Sequence, residues 1–293
     1  MNDLLLNATQ LGMLVFLLTS MVELGLSLTI GQVLAPLKSV RLIALSLLAN
    51  FILVPLLAFA IAKVLGLEQP FATGLLLLAL APGAPFIPKV VQLARGNLAF
   101  AVCLMVLLMV GTVFDLPLVL PRVIAGVAVR AWEIEKSLLL LMLLPLFVGL
   151  MVNRQFRSLP GWVRPGLGLV SNVSGLVVLS LMLTLHFKSV LSVFGTGAIF
   201  AGVLFVVVSA LTGLLLGGPD RATRHSLGLA TGLRNVAAAL LVGAQNFKDP
   251  RVNVMVIVTA LVGLVILLPT AGALGRRMPR QFDEPALVTA KLD

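Results

Sequence analysis

Residues 81–89 read Ala81-Pro82-Gly83-Ala84-Pro85-Phe86-Ile87-Pro88-Lys89. Each proline removes a backbone donor, so a helix arriving at Pro82, Gly83, Pro85 and Pro88 has to break. A full positive charge, Lys89, follows at once. The stretch lies inside an apolar run, 72–94, that is long enough to cross a bilayer. A second interruption, Ala230-Thr231-Gly232-Leu233-Arg234-Asn235, lies inside the apolar run 225–246. Charges at membrane depth are costly and mark functional sites by default. Irregular backbone is tolerated there only where it lines a cavity or is buried in protein. Two such breaks, one in each half of the chain, point to a membrane transporter's binding site.

Composition agrees. The 293 residues are 60% hydrophobic and 11% charged, against roughly 25% charged in soluble domains. About nine or ten spans of ~20 residues fit this length, with no room for a sizeable soluble domain. The net charge of +10 comes from basic residues that punctuate the apolar runs, as loops at a membrane surface do. No basic cluster with interleaved aromatics is present, so no nucleic-acid partner is expected. The single cysteine, Cys103, excludes an intramolecular disulfide. With Asp3 and no basic residue before the first apolar run, the first segment reads as a retained helix rather than a cleaved signal.

Nine apolar segments follow along the chain: about 8–31, 40–66, 72–94, 97–119, 136–153, 166–187, 193–217, 225–246 and 252–274. They are continuously apolar rather than alternating, which predicts helices and not a barrel. The fold class is therefore an all-α integral membrane protein. Residues 120–135, with Pro121, Arg122, Arg130 and Trp132, fit either an interfacial stretch or an ordinary loop. An external N-terminus places twelve basic residues on the inner side and seven outside, which with Lys89 and Arg234 accounts for all 21. That bias predicts a cytoplasmic C-terminus and a polar cytoplasmic tail, 276–293.

Residues 82–97, Pro-Gly-Ala-Pro-Phe-Ile-Pro-Lys-Val-Val-Gln-Leu-Ala-Arg-Gly-Asn, resemble the bile acid:sodium symporter family. Its members carry a Pro-Gly-Gly segment ending in Leu-Ala-Arg-Gly-Asn or similar. Gly232 to Asn235 resembles the family's Gly-x-Gln-Asn element, and Gly25-Leu26-Ser27-Leu28 also looks like it. The resemblance implies ten helices in two inverted repeats, with one broken helix per repeat crossing near the midplane. This chain would begin at the family's second helix. Residues 1–275 would form one transporter domain of the cell (inner) membrane. Its core helices would be about 40–119 and 193–274, and its panel helices about 8–31 and 136–187.

The sequence departs from the family where sodium is held. The Ser-Asn pair after Pro-Gly-Gly is replaced by Ile87 and Pro88. A Ser and a Thr on the next helix fall on Ala101 and Met105, and a Glu and a Gln on the second broken helix are Ala230 and Arg234. A Gln from an earlier helix aligns with Asn50, and the family's Asn persists as Asn235. A hard cation needs oxygen ligands, so the usual sodium sites are expected to be missing and no metal is assigned. Lys89 and Arg234 would supply comparable charge covalently, at ~2.5–3.5 kcal/mol each. That cost calls for partners: a substrate anion, half-helix carbonyls, Asp115 or Glu23.

The expected substrate-binding residues are Lys89, Arg234, Asn235 and Asn50. Pro82, Gly83, Pro85, Pro88 and Gly232 form the breaks. Glu23 and Asp115 serve as counter-ions or in proton coupling. Bland alternatives stay open: Lys89 could snorkel to the interface, and Arg234 could sit in a structural salt bridge. Ser171, Asn172 and Ser174 fit either a substrate-facing or an interhelical role. His186 and His225 stand alone, without metal-ligand spacing. No phosphate loop, nucleophile elbow or paired-carboxylate constellation occurs, so neither an enzyme nor a cofactor is expected. The function expected is secondary transport of a small or amphipathic organic anion by alternating access, without the family's usual sodium sites. The rivals are a sodium symporter with relocated ligands and a membrane sensor or assembly subunit that does not transport.

Overall fold

Inside a bilayer no water satisfies backbone amides, so each apolar run must bond to itself. The computed structural model describes residues 2–123, 131–156 and 160–278, and among them the chain forms helices and no strand. In order these are α1 (Asn2–Ser27), α2 (Ile30–Leu34), α3 (Val40–Leu48), α4 (Val54–Val64), α5 (Gln69–Ala79), α6 (Ile87–Leu93) and α7 (Leu98–Val123). Then come α8 (Ala131–Gln155), α9 (Val163–Ser192), α10 (Ala198–Leu216), α11 (Arg221–Gly232), α12 (Val236–Asn246) and α13 (Arg251–Arg277). A π turn, Ala49–Leu53, joins α3 to α4 into one long helix, Val40–Val64. Pro55, which has no amide to give back to the preceding turn, lies two residues past the end of this widened turn.

Among the described residues, Val40–Val64, Ala198–Leu216 and Arg251–Arg277 are long and apolar enough to cross a membrane alone. The first segment differs from its expected bounds of 8–31. α1 stops at Ser27, and the chain bends by 99° between Leu11–Ser27 and Ile30–Lys38. The cause is local: Thr29 is extended and makes a reciprocal capping box with Gln32, which starts a new helix. α7 reaches Val123 and α8 begins at Ala131, so helix enters the stretch 120–135 from both sides. Residues 124–130 of that stretch, and 279–293 of the tail, lie outside the described residues.

Two packing groups form. α1 packs along α8 and α9. Gly25 and Gly149 let α1 and α8 meet backbone to backbone: a Cβ on Gly25 would lie 2.3 Å from the Leu146 carbonyl oxygen. The Ser20 and Ser171 hydroxyls bond between α1 and α9. The second group joins α10 to α11 and α13, and α5 to α4 and α13. It encloses a large apolar core that includes Leu75, Ile87, Phe100, Phe205, Leu227 and Met255. A smaller apolar cluster joins Phe16, Met21 and Leu24 of α1 to Met105 and Met109 of α7. Phe16 stacks on Phe86 at 4.3 Å between ring centres, which brings α1 against the first break.

Candidate functional site

The first helix break runs from Leu80 to Phe86. Gly83 takes φ +87, a conformation that strains any residue with a Cβ, and a Cβ there would stand 2.8 Å from the Met109 amide nitrogen. Its freed carbonyls find partners. The Thr112 hydroxyl donates to the Pro82 carbonyl at 3.2 Å. The Asn235 amide donates to the Ala81 carbonyl at 2.7 Å. That last bond ties the first break to the second, which spans Leu233 to Asn235. Asn235 also caps α12, its side-chain oxygen accepting from the Ala238 amide at 3.1 Å.

Beside this junction of the two breaks is a cavity of about 1190 Å³. Its wall is mostly apolar, with Phe16, Leu17, Phe205 and Leu264 among the side chains, and takes in Pro85 and Leu233 from the two breaks and Gly232 at the end of α11. Arg234 lies on this wall, only 4% exposed. Its Nη1 reaches the Asn50 carbonyl at 3.5 Å, a long contact, while Nε and Nη2 have no partner. Buried donors left unpaired are costly. A guanidinium offers them as a planar fork suited to a carboxylate or another oxyanion.

Lys89, at the start of α6, also lines the cavity but is already engaged. Its ammonium donates to the Glu23 carboxylate of α1 and, at 3.5 Å, to the side-chain oxygen of Asn172 on α9. The lysine and glutamate side chains are 11% and 12% exposed. Gly168 makes room for this carboxylate, since a Cβ on it would come within 3.0 Å of Glu23 Oε1.

The other expected site residues lie elsewhere. Asn50 is wholly buried on the π turn, its Nδ2 donating to the Ser46 carbonyl at 2.9 Å and to Thr231 Oγ1 at 3.3 Å. Its Oδ1 has no partner. Neither Asn50 nor Asn235 is on the cavity wall, and Asp115, on α7 with Oδ2 buried and unpartnered, is not either. Sequence reasoning missed Thr112 and Thr231, whose value comes only from what tertiary packing sets opposite them. The Leu93–Asn97 segment proves to be a docking device. The Asn97 amide donates to Ser226 Oγ at 2.8 Å and its side chain to Thr223 Oγ1 at 3.2 Å, fixing the start of α7 on α11. Arg95 there has φ +51 and donates to the Met278 carbonyl at 3.0 Å.

A family model described as "Sodium Bile acid symporter family" matches residues 14–193, more than half of the chain. The chain belongs to the sodium bile acid symporter family. Its curated relatives include the probable sodium/metabolite cotransporter BASS1, chloroplastic, of Arabidopsis thaliana, 25% identical over 92% of this chain and 68% of the relative. Others are BASS2, chloroplastic, of Oryza sativa subsp. japonica, 25% identical over 80% of this chain and 57% of the relative, and BASS3, chloroplastic, of Arabidopsis thaliana, 23% identical over 84% and 59%. The chain thus spans between just over half and two thirds of the length of these relatives. The family is one of transporters, not of enzymes, and its members reside in membranes.

In this member of the sodium bile acid symporter family, five of the eight positions where the resemblance places oxygen ligands, Ile87, Pro88, Ala101, Met105 and Ala230, are buried and apolar, while Asn50, Arg234 and Asn235 are buried and polar. Ile87, Ala101, Met105 and Ala230 are each fully buried. Ile87, Ala101 and Ala230 belong to one continuous apolar cluster, and Met105 to the cluster around α1. Arg234 stands where the resemblance places a neutral amide. Among the described residues, no group of three or more His, Cys, Asp or Glu is placed to hold a metal ion.

Proposed function

We propose that this protein is a secondary transporter for a small or amphipathic organic anion, working by alternating access without the family's sodium sites. One observation carries the reading: Arg234, nearly fully buried at the junction of two broken helices, belongs to the wall of a large apolar cavity and has two guanidinium donors without a partner. An anion is the ligand that satisfies such a group, and the apolar wall suits an organic body. The architecture proposed with it is nine spans in an inverted-repeat fold, residues 1–275 forming one domain. α5–α6 and α11–α12 are the crossing pair. α1, α8 and α9 are the panel, and the remaining helices form the core. The cavity touches both groups, as a site for alternating access must. We place the protein in the cell membrane with a cytoplasmic C-terminus, on the charge bias alone.

A second reading, sodium coupling through relocated ligands, has Asn50 Oδ1 in its favour, a buried acceptor without a partner. The neighbouring guanidinium, whose Nη1 contacts the same residue's carbonyl, opposes a cation there. Uptake of organic anions into proteoliposomes, with sodium wholly replaced by N-methyl-D-glucamine, separates the readings. Undiminished uptake in the wild type, and loss of at least tenfold in Arg234→Gln, are expected. Strict sodium dependence overturns the proposal. Binding without counterflow of labelled anion indicates a sensor instead.

A further inference from the structure

Among the described residues, three charged side chains reach the cavity wall: Glu23, Lys89 and Arg234. Glu23 and Lys89 neutralise each other. Of the three, Arg234 has no acidic partner, and its Nε and Nη2 are buried without any hydrogen bond. The remaining polar wall is Gln92, Asn172 and Thr259, and Asn172 already accepts from Lys89.

We infer that Glu23 sets the charge selectivity of this cavity: by occupying Lys89 it leaves one uncompensated positive charge, so organic monoanions are admitted and dianions are turned away. A dianion has two ways in, and both are unfavourable. Its second carboxylate can rest unpaired against apolar wall, or it can displace Glu23 from Lys89 and leave that carboxylate unpaired. Stranding one member of a largely buried ion pair is strongly unfavourable. Discrimination then comes from what is left unpaired with the wrong ligand rather than from a better fit to the right one. The seat of the carboxylate is shaped for it, because Gly168 on α9 keeps open the space that Glu23 Oε1 fills.

This inference rests on the proposed reading of the cavity as an organic-anion site. The test uses the full chain in lipid nanodiscs, with empty nanodiscs as blank. Three pairs of acids sharing a skeleton or chain length serve as probes: benzoate and terephthalate, 2-naphthoate and 2,6-naphthalenedicarboxylate, decanoate and decanedioate. The wild type is expected to prefer the monoanion at least tenfold, ~1.4 kcal/mol. Glu23→Gln should move the ratio at least tenfold toward the dianion, and Glu23→Gln/Lys89→Gln should return it. An unchanged ratio in Glu23→Gln, or a shifted ratio that persists in the double variant, overturns the inference. If Glu23→Gln does not fold, the charge-swapped Glu23→Lys/Lys89→Glu protein decides: monoanion preference supports the inference and dianion preference overturns it. Wild-type monoanion affinity in Arg234→Gln, or binding of none of the probes to the wild type, overturns the underlying anion-site reading. Loss of binding in Arg234→Gln together with an unmoved ratio in Glu23→Gln sinks the selectivity claim alone.

Discussion

Replacing Lys89 with Met tests how firmly the Glu23–Lys89 pair holds α1 against α6. Breaking a buried pair by removing one partner costs about 3–5 kcal/mol, whereas exposed pairs are worth about 0–1 kcal/mol. Side chains 11% and 12% exposed belong near the first limit. The pair lines a cavity large enough for water, and partial hydration lowers the expected cost of Lys89→Met to about 2–3 kcal/mol. Glu23→Gln should cost less, because the amide oxygen still accepts from the ammonium. The double variant leaves no stranded carboxylate, so the coupling energy of the cycle should be about 2 kcal/mol. Reversible denaturant unfolding in mixed micelles gives the four stabilities. Repeating the cycle in high salt adds a control, since screening acts over ~10 Å at 0.1 M salt on exposed pairs and far less on buried ones. A coupling below about 0.5 kcal/mol, or one abolished by salt, would show that the two side chains part in the folded protein. The placement of Glu23 at Lys89 would then be wrong.

Two further outcomes are expected. Gly83→Ala should destabilise by about 2–4 kcal/mol, from positive-φ strain of ~1–3 kcal/mol and overpacking of similar size, because φ is +87 and the new methyl would meet Met109 and Leu108. Gly66→Ala is the control, with φ +60 but nothing within 4 Å, and should cost only about 1 kcal/mol; equal losses in thermal melts of the two variants would refute tight packing of the first break on α7. Asp220 caps α11 by accepting from the Thr223 amide at 2.8 Å, and Thr223, by its side chain first and its backbone second, holds the Asp220 carboxyl below the usual carboxylate range. A carboxyl depressed on folding stabilises above its unfolded value and loses that contribution as pH falls through its lower folded value. Asp220→Ala should therefore cost about 0.5–1 kcal/mol at neutral pH, with the gap to wild type closing on acidification below about pH 4; a gap that widens in acid contradicts the cap.

Composition and local chemistry by themselves determined the helical membrane class and the two interruptions. Apolar runs must bond internally, and prolines, glycines and stray charges disclose where they fail to. The residues of the first break also carried the family resemblance, without any knowledge of what they touch. Only tertiary structure decided the partners. Glu23 meets Lys89 from 66 residues away, Arg234, a residue of the cavity wall, is left with unpartnered donors, and the Asn235 backbone amide donates to the Ala81 carbonyl of the other break. No periodicity encodes these choices, because a charge in a sequence specifies only that it needs company. Which group supplies it depends on which helices the packing of small residues such as Gly25 and Gly149 allows to approach.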